Sequence, residues 1–178
     1  MEKLKTVTKK ILQKYAERIP DSLMGVERQV FIGNKLVAGL PENEKLALHK
    51  FVQQLLIEMR EKDASDIDFG GWGSNGFVWL RIQGNKKNLP DFGKFTIDEF
   101  DLLVQSILMD SQRDVLYEDR NHDFSYTFRV GNQMMRYRAN VYFDMDICEE
   151  LLGGYFETGS SFYNFNEIDW IFSTFIEL

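Results

Sequence analysis

Apolar residues recur at helical spacing in three long stretches of the chain. These stretches cover residues 2–18, residues 42–62 and residues 97–109. In the last one, Thr96 and Glu99 also form the sequence pattern of a capping box, which marks the start of a helix. Each stretch is therefore predicted to be an amphipathic helix that buries one side.

Alternating and short apolar runs predict strands at residues 66–69, 77–83, 123–130, 134–143 and 155–158. Gly131 and Asn132 predict a tight turn between two of these strands. Apolar residues on both sides of Gly33 and Asn34 predict a further short hairpin over residues 30–37. Two more helices are predicted, over residues 111–118 and 164–176.

Strands that neighbour each other in sequence, with helices between the pairs, are typical of an α+β fold. We therefore predict an antiparallel sheet with helices on one face, preceded by an N-terminal helix and hairpin. The 15 Phe, seven Tyr and three Trp residues supply much of the volume of a packed core.

The net charge of −7 is unevenly distributed. Residues 1–20 contain six Lys or Arg and two Glu, a net charge of +4, so the other residues carry −11. No Lys or Arg follows Arg138. This acidic end disfavours nucleic acid as a partner, because binding phosphates requires cations. The basic start is either a solvated helix face or a surface for acidic lipids or an acidic protein.

The chain has one cysteine, Cys148, so it cannot form an internal disulfide. No apolar run approaches the roughly 20 residues that a membrane helix needs. The first residues lack the pattern of a signal peptide. We therefore predict a cytoplasmic protein.

The sequence GWGSNG at residues 71–76 raises the question of a phosphate-binding loop. Such a loop precedes a helix and carries a Lys and a Ser or Thr for phosphate and Mg²⁺. Here strands are predicted on both sides, and no Lys follows before Lys86. A glycine-rich turn is the favoured interpretation.

Few side chains have the spacing of a catalytic or metal site. Asp66 and Asp68 share one face of a predicted strand, but a metal needs more ligands, and solvated acids are the favoured interpretation. Cys148 and His122 are candidates for a nucleophilic pair that the sequence does not place together. We predict no catalytic residue and no metal site.

Three arginines are better candidates for a binding site than these acids, Cys148 or His122. Arg136 and Arg138 share one face of a predicted strand, and Arg81 lies on another strand. Arginines on a sheet face can bind a nucleotide or the carboxylates of a neighbouring subunit through bidentate bonds. A solvated sheet face is the alternative that the composition favours.

From about residue 44 to 158, the order of several short motifs resembles the amino-terminal domain of the type II and type IV secretion and type IV pilus ATPases. The motifs are ASDIDF at 64–69, VWLRIQG at 78–84, QR at 112–113, DFSY at 123–126 and RYRAN at 136–140. The resemblance implies a PAS-like domain over 41–158. It does not cover the flanking residues, which we predict to be an N-terminal helix and hairpin extension over 1–40 and an acidic, aromatic, helical segment over 159–178.

The same resemblance implies partners and site residues. In that family the domain packs against the motor domain of the same or a neighbouring subunit, within a ring-shaped, hexameric homo-oligomer. Secretion or pilus components at the inner membrane are the further partners, with peripheral contact to that membrane. By this match, Arg81, Arg136 and Arg138 are the positions that contact the nucleotide or the neighbouring subunit.

Two positions depart from the family pattern. Asp68 stands where the family has His, and residues 156–158, with Glu157, stand where the family has Phe-Arg-Thr. A carboxylate at an edge that faces a nucleotide repels phosphate, so nucleotide contact is expected to be weakened.

The motifs predict a ring-packing, regulatory domain of a secretion or pilus ATPase. Because the phosphate loop is missing from this chain, the chain alone is not expected to be an enzyme or to hold a cofactor. ATP and Mg²⁺ are expected only where the motor domain of a longer ATPase is present. Two alternatives stay open: a stand-alone adaptor of such a motor, and a PAS-like sensor of a small ligand.

Overall fold

The computed structural model describes residues 2–149 and 155–167 of the chain, which form an α+β fold. Within these residues the α-helices are α1 (Glu2–Ala16), α2 (Gly25–Phe31), α3 (Glu42–Glu61), α4 (Ile97–Ile107) and α5 (Asp110–Asp119). The strands are β1 (Ala64–Gly70), β2 (Trp79–Ile82), β3 (Asn85–Asn88), β4 (Asn121–Val130), β5 (Gln133–Glu149) and β6 (Tyr155–Glu167).

The strands form one six-stranded sheet in the order β3-β2-β1-β6-β5-β4. All neighbouring strands are antiparallel. The first and last of the described strands, β1 and β6, therefore lie side by side at the centre, with one hairpin outside each of them. The centre of the sheet is therefore formed by two strands that are far apart in sequence.

The sheet buries one face and leaves most of the other exposed, although Asp68 on that second face is buried. In β4, Phe124, Tyr126 and Phe128 are buried, while the residues between them are exposed. The described part of β5 alternates in the same way. Alternation with a period of two puts the apolar set on one side of a sheet. The predicted antiparallel sheet with helices on one face is confirmed.

Helix α4 is the centre of the helical layer. Its residues from Glu99 to Ile107 are all buried, because α1, α3, β1 and a neighbouring π-helical segment pack around it. The predicted capping box is present, with the Thr96 hydroxyl accepting from the Glu99 amide at 3.2 Å. The Phe100 ring continues an aromatic cluster through Phe95 to Phe51, with centroid distances of 5.1 and 5.8 Å.

The hairpin predicted over residues 30–37 is wrong. Helix α2 continues instead into a π-helical segment, Ile32–Val37, whose Ile32, Gly33, Leu36 and Val37 are buried. A two-stranded hairpin has little stability without further strands to pack on. Burial against α4 therefore decides the conformation of this stretch.

The helix predicted over residues 164–176 is wrong where it is described. Residues 164–167 belong to β6, and residues 168–176 lie outside the described part of the chain. The main chain of β6 pairs with β1 over residues 162–166 and with β5 over residues 155–167. Pairing on both sides extends the short predicted strand of 155–158 well past residue 158. The segment boundaries at residues 41 and 159 stay predictions.

Strand β3 was not predicted. Its sequence, NKKN, has residues that are rare in strands, but lysines are common on sheet edges, where they discourage pairing with other chains. None of the described helices combines the length and the apolar character needed to cross a membrane.

Candidate functional site

The register of the strands aligns two rows of polar residues across the sheet. One row contains Lys86, Arg81, Asp66, Asn166, Arg138 and Ser125. The next row contains Asn88, Trp79, Asp68, Asn164, Asn140 and Asp123. We call the side of the sheet that faces away from the helices, with the side chains of Asp66, Arg81, Arg136 and Arg138, the open face.

The predicted acids of β1 are ion-paired. Arg81 contacts Asp66 with an N–O distance of 3.2 Å, and Lys86 contacts Asp68 at 2.8 Å. The described residues contain no group of three or more His, Cys, Asp or Glu that could hold a metal ion. These carboxylates therefore act in the described structure as partners of cations on neighbouring strands.

On the other half of the sheet, Arg138 and Asn140 donate to Asp123. Arg138 Nη2 lies 3.2 Å from Asp123 Oδ2, and Asn140 Nδ2 lies 3.0 Å from Asp123 Oδ1. The hydrogen bond from Asn140, together with that from Arg138, lowers the pKa of Asp123. Arg136 Nη2 donates to Ser125 Oγ at 3.3 Å. The side chain of Arg138 is 64% exposed, so water or a partner reaches it readily.

The structure places all three predicted arginines on the same face. Arg81 and Arg138 lie in one row, separated by β1 and β6, so their main chains are roughly 14 Å apart at the usual strand spacing. Arg136 lies two residues before Arg138 on β5. Three cations spread over this width cannot all contact a single small ion.

The sequence suggested that Glu157 lies at an edge facing a nucleotide, but the strand register places Glu157 far from the arginines. Its main chain lies opposite Ile147, nine residues along β6 from Asn166. At about 3.3 Å per residue, that is about 30 Å from the row of Arg81 and Arg138. The β6 residues that do lie in the two rows are Asn164 and Asn166, which carry no charge. A carboxylate therefore does not replace a cation in these rows.

The glycine-rich stretch is a turn, as predicted. It connects β1 to β2 and includes a short 3-10 turn at Trp72–Ser74. The Ser74 hydroxyl donates to the Gly71 carbonyl at 3.0 Å and accepts from the Gly76 amide at 3.2 Å. The Trp79 indole donates to the Ser74 carbonyl at 2.8 Å. These polar atoms are thus used to hold the turn itself.

The basic start of the chain is partly used inside the domain. Lys9 donates to Glu99 at 2.5 Å and lies over the Phe95 ring, and Lys14 donates to Glu44 at 2.8 Å. Lys5 donates to the Asp91 carbonyl at 2.7 Å. Half of the six cations predicted as a solvated face or a lipid surface therefore attach α1 to the rest of the fold.

The candidate residues Cys148 and His122 are not brought together by any described contact. His122 stacks on Phe124 with a centroid distance of 5.7 Å. Cys148 lies on β5, and its side chain is outside the described part of the structure.

A buried polar network, which we define as Gln29, Asp101, Gln105, Arg113 and Tyr117, was missed by the sequence analysis. Gln29 donates to Asp101 at 2.5 Å, Gln105 donates to Gln29 Oε1 at 2.7 Å, and Tyr117 donates to Gln105 Oε1 at 2.7 Å. Arg113 donates to the carbonyls of residues 105 and 108, at 3.1 and 2.7 Å, where α4 ends. The network joins α2, α4 and α5.

A cavity is the second feature that the sequence did not indicate. It has a volume of about 630 Å³ and lies between residues 21–29, the glycine-rich turn and the start of α4. The three segments are far apart in sequence, which is why no local pattern predicts it.

Neither a protein-family model nor a curated protein matches the sequence. Among solved structures, the chain is similar to the ATPase DotB of Legionella pneumophila, with 18% identity and a TM-score of 0.51. That match covers 66% of this chain and 29% of DotB. A structure of the pilus retraction motor PilT with bound ADP matches at 26% identity and a TM-score of 0.48, over 65% of this chain and 28% of PilT. The likeness to DotB shows that this chain adopts a fold present within that ATPase.

Proposed function

We propose that this chain is the PAS-like amino-terminal domain of a secretion or pilus ATPase, or a separate adaptor that serves such a motor. The fold shared with part of DotB supports the family, as does the motif order over residues 64–140. The chain spans less than a third of the length of DotB, so the activity and the assembly of the whole ATPase are themselves part of the proposal.

The open face is the proposed contact with the motor domain of the same or a neighbouring subunit in a ring. The single observation that carries this is the placement of Arg81, Arg136 and Arg138 on one exposed sheet face. Each arginine is attached to another strand of the same face, to Asp66, Ser125 and Asp123 respectively. These attachments preorganise the guanidinium groups, and preorganised Arg is well suited to bind carboxylates or phosphates.

The proposed role is structural and regulatory. The chain itself supplies no chemistry: ATP and Mg²⁺ would bind in the motor domain, and the arginines would stabilise the subunit contact or approach the nucleotide from outside. We propose a cytoplasmic location, with inner-membrane secretion or pilus components as further partners.

The test uses the triple charge reversal Arg81→Glu, Arg136→Glu and Arg138→Glu in the protein that contains or binds this domain. We expect ring assembly to be lost in light scattering and ATP turnover to fall about tenfold or more, because several contacts of one interface change sign. Lys50→Glu, which alters an exposed cation on α3, is the matched control and should leave both unchanged. Normal assembly and turnover of the triple variant would refute the proposed contact.

Two further observations test the family assignment and the catalytic role. The coding sequence after Leu178 distinguishes a domain of a longer ATPase from a separate adaptor, and an adaptor must then bind an ATPase with a phosphate loop. A chain that binds no such motor contradicts both forms of the proposal. The isolated chain is expected to show no ATP hydrolysis above background, and turnover that Arg138→Ala abolishes would contradict that expectation.

A further inference from the structure

The cavity beside the glycine-rich turn has the size and lining of a ligand site. Its volume of about 630 Å³ falls within the range of small-molecule sites, which runs from roughly 300 to 1,000 Å³. The volume is therefore in the range that a small molecule would fill.

The walls of the cavity are largely apolar. Leu23, Met24, Phe95, Ile97 and Phe100 contribute to its lining. Met24 is 52% exposed although it is a large apolar residue, and it lines the cavity at the start of α2. An apolar ligand would cover this surface and remove it from water, which is favourable.

Several of the polar side chains that line the cavity have partners in the described structure. Arg28 makes two bonds to Asp98, at 2.9 and 2.6 Å, so these charges neutralise each other. Ser74 is occupied by the turn, and Thr96 by the capping box. Lys94 lies over the Phe77 ring at 4.7 Å. The side chains of Lys94 and Asp21 form no described ion pair, but both are exposed and they are opposite in sign.

A charged ligand would lose its hydration without gaining a buried partner, which is unfavourable. We therefore propose that this cavity binds a small, uncharged, largely apolar molecule. The site is separate from the proposed motor contact, because none of Arg81, Arg136 and Arg138 lines the cavity. A failure of either proposal leaves the other intact.

The glycine-rich turn acquires a role in this proposal. A side chain at Gly76 would lie 2.7 Å from the Phe95 carbonyl, so glycine is needed for the turn to approach this wall. The Phe95 amide donates to the Gly76 carbonyl at 2.8 Å and fixes that approach. The turn that resembled a phosphate loop thus forms one wall of an apolar cavity.

The experiment uses two fluorescent probes with the full chain. N-phenyl-1-naphthylamine is uncharged, and 8-anilinonaphthalene-1-sulfonate has the same ring system with an added anion. We expect saturable binding of the uncharged probe at one site per chain, and binding of the anionic probe about tenfold weaker or more, since its charge finds no buried partner. If the anionic probe binds as tightly as the uncharged probe or more tightly, and Lys94→Gln weakens that binding, the proposal of an uncharged ligand is overturned.

Variants locate the binding site. Met24→Trp and Ile97→Trp each add an indole to the cavity lining. Because the indole occupies space inside the cavity, each variant is expected to bind the uncharged probe about tenfold more weakly. Leu46→Trp is the matched control, since Leu46 is 49% exposed on α3 and does not line the cavity. Circular dichroism must show that the variants fold. Unchanged affinity in both folded cavity variants, or equal loss in Leu46→Trp, would overturn the site.

Discussion

Two regions of this molecule use the same kinds of side chain, arginines with carboxylates and amides, and differ in their contact with water. In the buried polar network, Arg113 is only 3% exposed and donates to main-chain carbonyls at the end of α4. On the open face, the side chain of Arg138 is 64% exposed and donates to Asp123. The first region joins three helices, and the second lies across the surface of a sheet.

The difference in exposure changes what each bond contributes. Water replaces a lost partner on the open face, so an exposed ion pair contributes about 0–1 kcal/mol. Arg113 is buried, so a partner of Arg113 that loses it becomes unsatisfied, at a cost of about 1–3 kcal/mol. The network therefore serves the fold, whereas the exposed arginines of the open face are accessible to another protein.

The largest expected effect comes from Arg113→Met. It leaves the Leu108 carbonyl without its Arg113 donor and removes one of two donors to the Gln105 carbonyl, so we expect a loss of about 3 kcal/mol in the free energy of unfolding. Urea denaturation measures it. Arg138→Met is the exposed counterpart and should change stability by less than about 1 kcal/mol. Equal losses in the two variants would remove the distinction between the regions.

Gly33→Ala tests the packing of the network rather than its bonds. A methyl group at Gly33 would collide with the Tyr117 hydroxyl and lie 2.5 Å from Gln105 Oε1. We expect a loss of about 2 kcal/mol, typical of an overpacked core, in urea denaturation. Gly73→Ala is the control, because no atom lies within 4 Å of a methyl group there. An unchanged stability of Gly33→Ala would mean that the side chains of Tyr117 and Gln105 can move aside without cost.

The burial of the Tyr117 hydroxyl in the network can be tested by the pH dependence of stability. Burial raises the pKa of Tyr117 to about 12 from an ordinary 10.0. A raised pKa stabilises the fold below the ordinary value, and that contribution is lost as the pH rises from about 10 to 12. Tyr117→Phe is expected to cost about 1 kcal/mol at neutral pH and to reduce the loss of stability between those pH values. An unchanged alkaline transition would contradict the burial of this hydroxyl.

The smallest expected effect is on the open face. Asn140→Ala removes the main cause of the lowered pKa of Asp123, so this pKa should rise toward the ordinary value of 3.8 in carboxyl NMR titration. A lowered pKa stabilises the fold above the ordinary value, and the contribution is lost as the pH falls through the folded value. Asn121→Ala keeps the bond from Asn140 to Asp123 and should leave this pKa in place. A larger change in the pKa of Asp123 in Asn121→Ala than in Asn140→Ala would contradict the assigned hydrogen bonds.

Elements with a strong local pattern were predicted from the sequence. The apolar stripes of α1 and α3, the capping box of α4 and the alternating strands β4 and β5 each follow from residues close together in the chain. The shared face of Arg136 and Arg138 follows from the strand period in the same way. The row that joins Arg81 to Arg138 does not, because it requires β1 and β6 to lie between their strands.

The errors occurred where distant contacts outweigh local preference. Gly33 and Asn34 have the residues of a turn, but burial against α4 and α5 makes this stretch helical. Residues 164–167 were predicted as helix, but pairing with two neighbouring strands makes them part of the sheet centre. Polar residues of the buried network looked like ordinary surface residues in the sequence, since only the packing of three helices makes them buried.

By itself, the sequence determined the α+β class, most element positions and the pair of arginines on β5, because these depend on the spacing of neighbouring residues. The tertiary structure alone decided the strand order, the alignment of Arg81 with Arg138, the place of Glu157 away from that row and the cavity beside the glycine-rich turn. Each of these depends on which distant segments pack together, and such packing is set by the burial of the whole apolar surface rather than by any local pattern.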